Sequence, residues 1–218
     1  MTKTTKPRSV SLLFIGNSFT QRNNLPELLA KLAAVRNLSV RHELISVGGA
    51  SLRTHWNAGR AAKAIATGGY DYVVLQEQST LPVKNSQRMA ENVRLFDEAI
   101  KQAGSETVLY MTWARQHSPE TQPTIADAYI AVGKELGATV VPVGLVWQDF
   151  LAEHDRPMLY DRDQSHPTPA GSYLAACVFL VALLKVNPVG IDSGPAGLSQ
   201  QDRAVLQRAA WKRCGGRK

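Results

Sequence analysis

Gly16-Asn17-Ser18-Phe19-Thr20 places a hydroxyl directly after a short apolar run, and Asp163-Gln164-Ser165-His166-Pro167-Thr168-Pro169 places a carboxylate and an imidazole three residues apart. A serine hydroxyl becomes a nucleophile when a base takes its proton and a carboxylate holds that base in the right tautomer. Ser18, His166 and Asp163 are the three groups such chemistry needs. On a tight turn, the Asp-x-x-His spacing lets the aspartate reach the near ring nitrogen of the histidine while the far nitrogen faces Ser18. Ser18 also falls where a strand gives way to a helix, whose N-terminus favours developing negative charge. Each string alone has a plainer reading, since Asn17 or Ser18 can simply cap a turn and Asp163 to His166 can be a surface loop. It is the pair of strings that points to nucleophilic hydrolysis.

Elements able to bring the two strings together are legible in the hydrophobic pattern. Short continuous apolar runs alternate with longer stretches at helical spacing, the mark of strands buried on both faces by flanking helices. Strands are expected at 10–15, 40–45, 70–75, 107–112 and 139–143, and helices at 25–36, 55–67, 86–103 and 124–136. The expected fold is α/β, three layers α/β/α, with a doubly wound parallel sheet of about five strands. A short helix near 145–153 and an apolar helix from Pro169 to about Leu184 follow, the latter capped by Thr168. Ligands of such sheets bind beyond the carboxyl ends of the strands, which is where Ser18 falls.

The chain carries a formal charge of +7, which raises the question of nucleic acid. Lys3, Lys6 and Arg8 supply +3 of it, and the segment after residue 200 supplies +5, so residues 9–200 stand at −1. A nearly neutral body has no basic stripe for phosphate contacts, so no nucleic-acid partner is expected. The two cysteines, Cys177 and Cys214, form no ligand or redox motif. His154, Asp155, Asp161, Asp163 and His166 are loosely clustered but match no metal-ligand spacing, and no metal or other cofactor is expected. The run Val10 to Ile15 is too short for a signal peptide, and no apolar run reaches bilayer length, so no membrane partner and a cytoplasmic location are expected.

The two strings and their placement resemble the SGNH/GDSL hydrolase superfamily, whose nucleophile lies in an N-terminal Gly-Asp-Ser or Gly-Asn-Ser block and whose acid and base lie in a C-terminal Asp-x-x-His block. The resemblance spans roughly Val10 to Leu184 and implies a flavodoxin-like sheet and a serine esterase or lipase. The longer strings Ile15 to Thr20 and Leu75-Gln76-Glu77-Gln78-Ser79 are similar to a poorly characterised bacterial branch. The family's second block implies an oxyanion-hole amide from Gly48-Gly49-Ala50-Ser51-Leu52, with Gly49 favoured and Gly48 close behind. Its third block, Gly-x-Asn, is replaced here by Gln76-Glu77-Gln78. Strand-end alignment sets Gln78 where the asparagine stands, with Gln76 as the other candidate; failing both, the amides of Ser18 and Gly49 serve alone. Trp113 and Arg115 follow the fourth strand and are candidate substrate contacts, the arginine for a polar or acidic group.

Residues 1–8 are expected to be a basic tail, 9–190 the hydrolase domain, and 191–218 a linker and docked C-terminal helix with a basic end, started by Ser199 as N-cap. The expected activity is hydrolysis of a small-molecule or carbohydrate ester, short-chain or O-acetyl. The alternative is a catalytically silent carbohydrate or small-ligand binding module on the same fold. Composition does not fix the oligomeric state.

Overall fold

Side chains of a strand alternate between faces, and β1 (Arg8–Gly16) uses this to feed two cores at once. Leu12 and Phe14 enter one apolar cluster, Leu13 and Ile15 the other, and all four are fully buried. In the computed structural model, which describes residues 8–215, four more strands join it: β2 (Leu38–Ser46), β3 (Tyr72–Leu75), β4 (Glu106–Tyr110) and β5 (Thr139–Val141). All are parallel, in the order β2-β1-β3-β4-β5. Ile15 stands beside Ile45 on one side and Leu75 on the other, so the carboxyl ends of β1, β2 and β3 are level. The expected α/β/α class is the observed one.

After β1 come α1 (Ser18–Gln21) and α2 (Leu25–Ala34), then α3 (Leu52–Ala58) and α4 (Arg60–Thr67) after β2. The loops after β3, β4 and β5 lead to α5 (Leu81–Lys84) and α6 (Ser86–Gln102), α7 (Gln122–Leu136), and α8 (Val143–Glu153). The chain ends with α9 (Pro169–Ala182) and α10 (Gln200–Cys214). Buried residues of α2, α8 and α9 join the Leu12 cluster, and those of α3, α4, α6 and α7 join the Leu13 cluster, so the helices cover both faces. Strand order reverses about β1, and the crevice opens at its carboxyl end. The single helix expected at 55–67 is two. Gly59, at φ +74°, ends α3 in a left-handed conformation that suits glycine. The first of the pair starts at Leu52, because the Ser51 hydroxyl accepts the Thr54 N–H at 3.2 Å.

From Ala170 to Val181 every residue of α9 is buried. A helix apolar all round needs cover on every side. The sheet gives one side and α10 another, through fully buried Leu206 and Ala210. The buried Gln207 carboxamide fixes the docking: it donates to Tyr173 Oη and the Ile191 carbonyl, each at 2.7 Å, and accepts the Gly190 N–H at 2.9 Å. Ile191 and Leu198 of the expected linker lie in the same core. The basic tail expected at 1–8 lies outside the described residues apart from Arg8, the first residue of β1, as does 216–218 at the other end. No described helix is long and apolar enough to cross a membrane.

Replacing Leu206 by alanine is expected to lower stability by about 2–5 kcal/mol through the cavity it leaves against α9. Urea unfolding measures this, and a loss below about 1 kcal/mol would mean that α10 is not part of the cooperative core.

Candidate active site

The turn after β1 is built almost wholly from polar groups out of water. Asn17 caps α1 by accepting the Phe19 N–H at 3.1 Å, and its Nδ2 donates to the Ala50 carbonyl at 3.0 Å. The Gln76 side chain, at the end of β3, accepts the Asn17 N–H at 2.9 Å and the Thr20 hydroxyl at 3.0 Å. His55 Nε2 donates to the Gly16 carbonyl at 2.7 Å. Gly16 makes this packing possible, since a Cβ there would sit 2.6 Å from Gln76 Oε1 and 2.8 Å from Thr20 Oγ1. The result is a half-buried Ser18 on a turn held from below by β3 and from the side by α3.

The other string folds into one self-contained turn. Asp163 Oδ1 accepts the N–H groups of Ser165 at 3.0 Å and His166 at 2.9 Å, while Oδ2 accepts Nδ1–H of the His166 ring at 2.5 Å. Gln164 closes the turn at φ +58° with its N–H on the Asp161 carbonyl. Because Nδ1 carries the proton, Nε2 is left as the acceptor, and it lies 2.7 Å from Ser18 Oγ. Thr168 accepts the Gly171 N–H at 3.1 Å and starts α9 with Pro169 as its first residue. Partial burial pushes the Asp163 carboxyl up, but donation from the His166 N–H and ring and from the Ser165 N–H outweighs it and brings the group down to about 2.

The His166 turn is backed by an aromatic stack. Phe19 lies 5.3 Å from the His166 ring and 5.0 Å from Trp113, which stacks on Trp147 at 3.9 Å; Tyr160 meets Trp147 edge-on. Trp113 was expected to line the pocket, and the structure corrects this: it is 1% exposed, and its Nε1 donates to the Ser165 carbonyl at 3.0 Å. Its place is behind the turn. The Gln116 N–H on the Gln164 carbonyl and the Tyr160 hydroxyl on the Ala114 carbonyl complete that support. Gln76 is corrected too. Its oxygen is taken by Asn17 and Thr20, its Nε2 donates to the Glu77 carbonyl, and at 1% exposure it is turned into the interior under the Ser18 turn.

Gly48 and Gly49 form an exposed turn closed by the Ala50 N–H on the Val47 carbonyl. Gly49, at φ +69°, occupies the position that favours glycine. The N–H groups of Ser18, Gly48 and Gly49 have no hydrogen-bond partner among the described residues. Gln78 is partly exposed; its Oε1 accepts both the N–H and the hydroxyl of Thr80, at 2.9 and 3.0 Å, and its Nε2 has no acceptor among the described residues. Arg115, between two residues tied to the His166 turn, makes no hydrogen bond with its guanidinium among the described residues, and its Nε is buried. Sequence reading did not find Glu77, Asn92, Asn23 or Arg22 at this end of the sheet. Asn23 donates to the Pro167 carbonyl and Ser172, and Arg22 pairs with Asp161 at 2.7 Å. A cavity of about 780 Å³ beside β5, lined by Asp149, Phe150, Lys185 and Arg213, contains none of these residues.

A serine oxygen, an imidazole and a carboxylate in this order can move a proton from Oγ to Nε2 while the carboxylate balances the charge that forms on the ring. The depressed Asp163 value gives a pH signature. Its folded value lies below that of an unfolded aspartate, so its stabilising contribution is complete above about pH 4 and is lost as pH falls towards 2. The melting-temperature gap between wild type and Asp163→Asn is therefore expected to narrow as pH falls from 4 to 3. A gap that does not change with pH would sink this reading of the turn.

No protein-family model matches the chain, and no curated protein matches it. Among solved structures, a DUF4886 family protein from Bacteroides uniformis is 22% identical, with 94% of each chain covered and a TM-score of 0.78. An acetyl xylan esterase from Geobacillus stearothermophilus is 16% identical, with 88% of this chain and 100% of that one covered and a TM-score of 0.55. At those identities the likeness shows the fold. A protein from Slackia heliotrinireducens, described as a candidate SGNH hydrolase, is 30% identical over 81% of this chain and 100% of its own, with a TM-score of 0.68. With that relative matched along its whole length and the fold shared, the chain belongs to the SGNH/GDSL hydrolase superfamily.

Proposed function

We propose that the chain is a carboxylic ester hydrolase working through an acyl-enzyme on Ser18, with short acyl groups, foremost acetyl carried on carbohydrate, as its substrates. The observation that carries this is the unbroken contact Ser18 Oγ to His166 Nε2 at 2.7 Å and His166 Nδ1 to Asp163 Oδ2 at 2.5 Å. A silent binding module has no need of such a line of groups, and no observation favours it.

His166 Nε2 takes the Ser18 proton as Oγ bonds to the ester carbonyl carbon. The N–H groups of Ser18 and Gly49, with Gln78 Nε2, hold the oxygen that becomes negative. When the intermediate collapses, the leaving alcohol takes the proton from His166; water then repeats the sequence on the acyl-enzyme. Asp163 keeps the ring in one tautomer throughout. Exposure of Gly48, Gly49 and Asp163 supports a substrate whose bulk stays outside while only a small acyl group enters. The unpartnered Arg115 guanidinium is available to a polar or acidic substituent on that bulk.

Hydrolysis of 4-nitrophenyl acetate, butyrate and octanoate by wild type and Ser18→Ala tests the proposal. The expected result is turnover fastest on acetate and reduced by about 10⁴-fold or more in the variant. Equal rates in the two proteins would overturn it.

A further inference from the structure

Glu77 is 0% exposed and has no cationic partner within salt-bridge reach among the described residues. It follows β3 directly, between the two glutamines. Its Oε1 accepts the N–H of Gln78 at 2.7 Å and of Leu52 at 3.0 Å, and its Oε2 accepts Nδ2–H of Asn92 at 2.8 Å. All three partners donate, so the group uses acceptor capacity alone. Asn92 is itself buried, and its Oδ1 accepts Nε–H of Arg53 at 3.0 Å. The Arg53 guanidinium is thus linked to Glu77 through the carboxamide of Asn92.

Burying a carboxylate among neutral donors is costly and is tolerated only where its oxygens are well paired. What Glu77 holds is therefore informative. Leu52 opens α3 three residues after Gly49, and Gln78 carries the Nε2 donor that has no acceptor among the described residues. One carboxylate oxygen grips the backbone of both loops.

We propose that Glu77, steadied by Asn92 and Arg53, is a positioning residue that sets the distance between the Gly49 and Gln78 oxyanion donors. Thr80 aims the Gln78 side chain and Glu77 fixes the backbone it hangs from. The inference rests on the esterase reading above. In a reaction where charge develops on one oxygen, donors preset at the right spacing act on the transition state more than on the bound ester. Loosening them lowers kcat and leaves KM nearly untouched.

The network can be inverted without changing its shape. In Glu77→Gln, Oε1 keeps the two backbone donors, but the new amide faces Nδ2–H of Asn92, donor against donor. In Asn92→Asp, two carboxylates meet. Combining them restores every bond: the side-chain amide at 77 donates to the carboxylate at 92, which also accepts from Arg53.

The experiment compares wild type, both single variants and the double variant by kcat and KM on 4-nitrophenyl acetate, melting temperature, and amide hydrogen exchange over residues 47–54 and 76–80. Glu77→Gln is expected to lower kcat about a hundredfold, as loss of an oxyanion donor does, with KM within about threefold. It also speeds exchange in both segments. The double variant is expected to regain protection and to recover kcat to within about tenfold of wild type. An unchanged kcat in Glu77→Gln, or a double variant that regains melting temperature and protection but not kcat, would overturn the positioning role. If wild type shows no Ser18-dependent turnover, the esterase reading fails and the role in oxyanion binding fails with it. The exchange data show separately whether the hydrogen-bond network exists.

Discussion

Ser18 Oγ and His166 Nε2 lie 2.7 Å apart, yet their residues are 148 positions apart in the chain. Neither side chain can hold that distance alone, since a serine turn and a histidine turn at the carboxyl end of a sheet each move with their loops. The distance is kept because each turn is anchored to something rigid before the two meet. On the serine side the anchor is β3, through the Gln76 carboxamide. On the histidine side it is α9, whose buried length fixes Thr168 and hence the turn before it. Asn23 then crosses between them, donating to the Pro167 carbonyl and to Ser172 of α9. A helix buried from Ala170 to Val181 is thus a requirement of the site as well as of the core.

Around these anchors the carboxyl end of the sheet is unusually polar for a protein interior. Asn17, His55, Gln76, Glu77 and Asn92 are all buried, and each finds partners among the others or the nearby backbone. A network of this kind is worth having only when complete, because one orphaned member costs roughly 1–3 kcal/mol. Completeness is also what makes it specific. An apolar replacement would pack well in many arrangements, whereas carboxamides and carboxylates pair in few, so the loops they hold have one position.

The parts of the molecule that were legible in the sequence are those whose physics is local. Continuous apolar runs mark β1, β3 and β4, because residues buried on both faces must be apolar; β2, at the sheet edge, is instead exposed at alternate positions, and Thr168-Pro169 marks the start of α9. The Asp163 to His166 turn was legible for the same reason, its acid, base and backbone donors lying within four residues. Roles that depend on distant backbone groups were not. Trp113 reads as a pocket aromatic until its Nε1 is seen on the Ser165 carbonyl, and Gln76 reads as a free donor until both its ends are seen to be occupied. Glu77 has the weakest signal of all, since two of its three partners are N–H groups that every residue but proline has. The break at Gly59 was missed because a glycine within a helical pattern is tolerated as often as it ends one.

Two carboxylates at this end of the sheet meet three donors each under opposite conditions. Asp163 is 42% exposed; Glu77 is 0% exposed. Water reaches Asp163, so solvent as well as the turn can respond to a proton arriving on the ring, which suits the base role proposed for His166. No water reaches Glu77, and any change in its partners must be met by moving the loops themselves. A site that handles a transient charge benefits from having both. In the mechanism proposed above, the exposed carboxylate lies beside the group whose charge changes, and the buried one lies beneath the amides whose spacing must not.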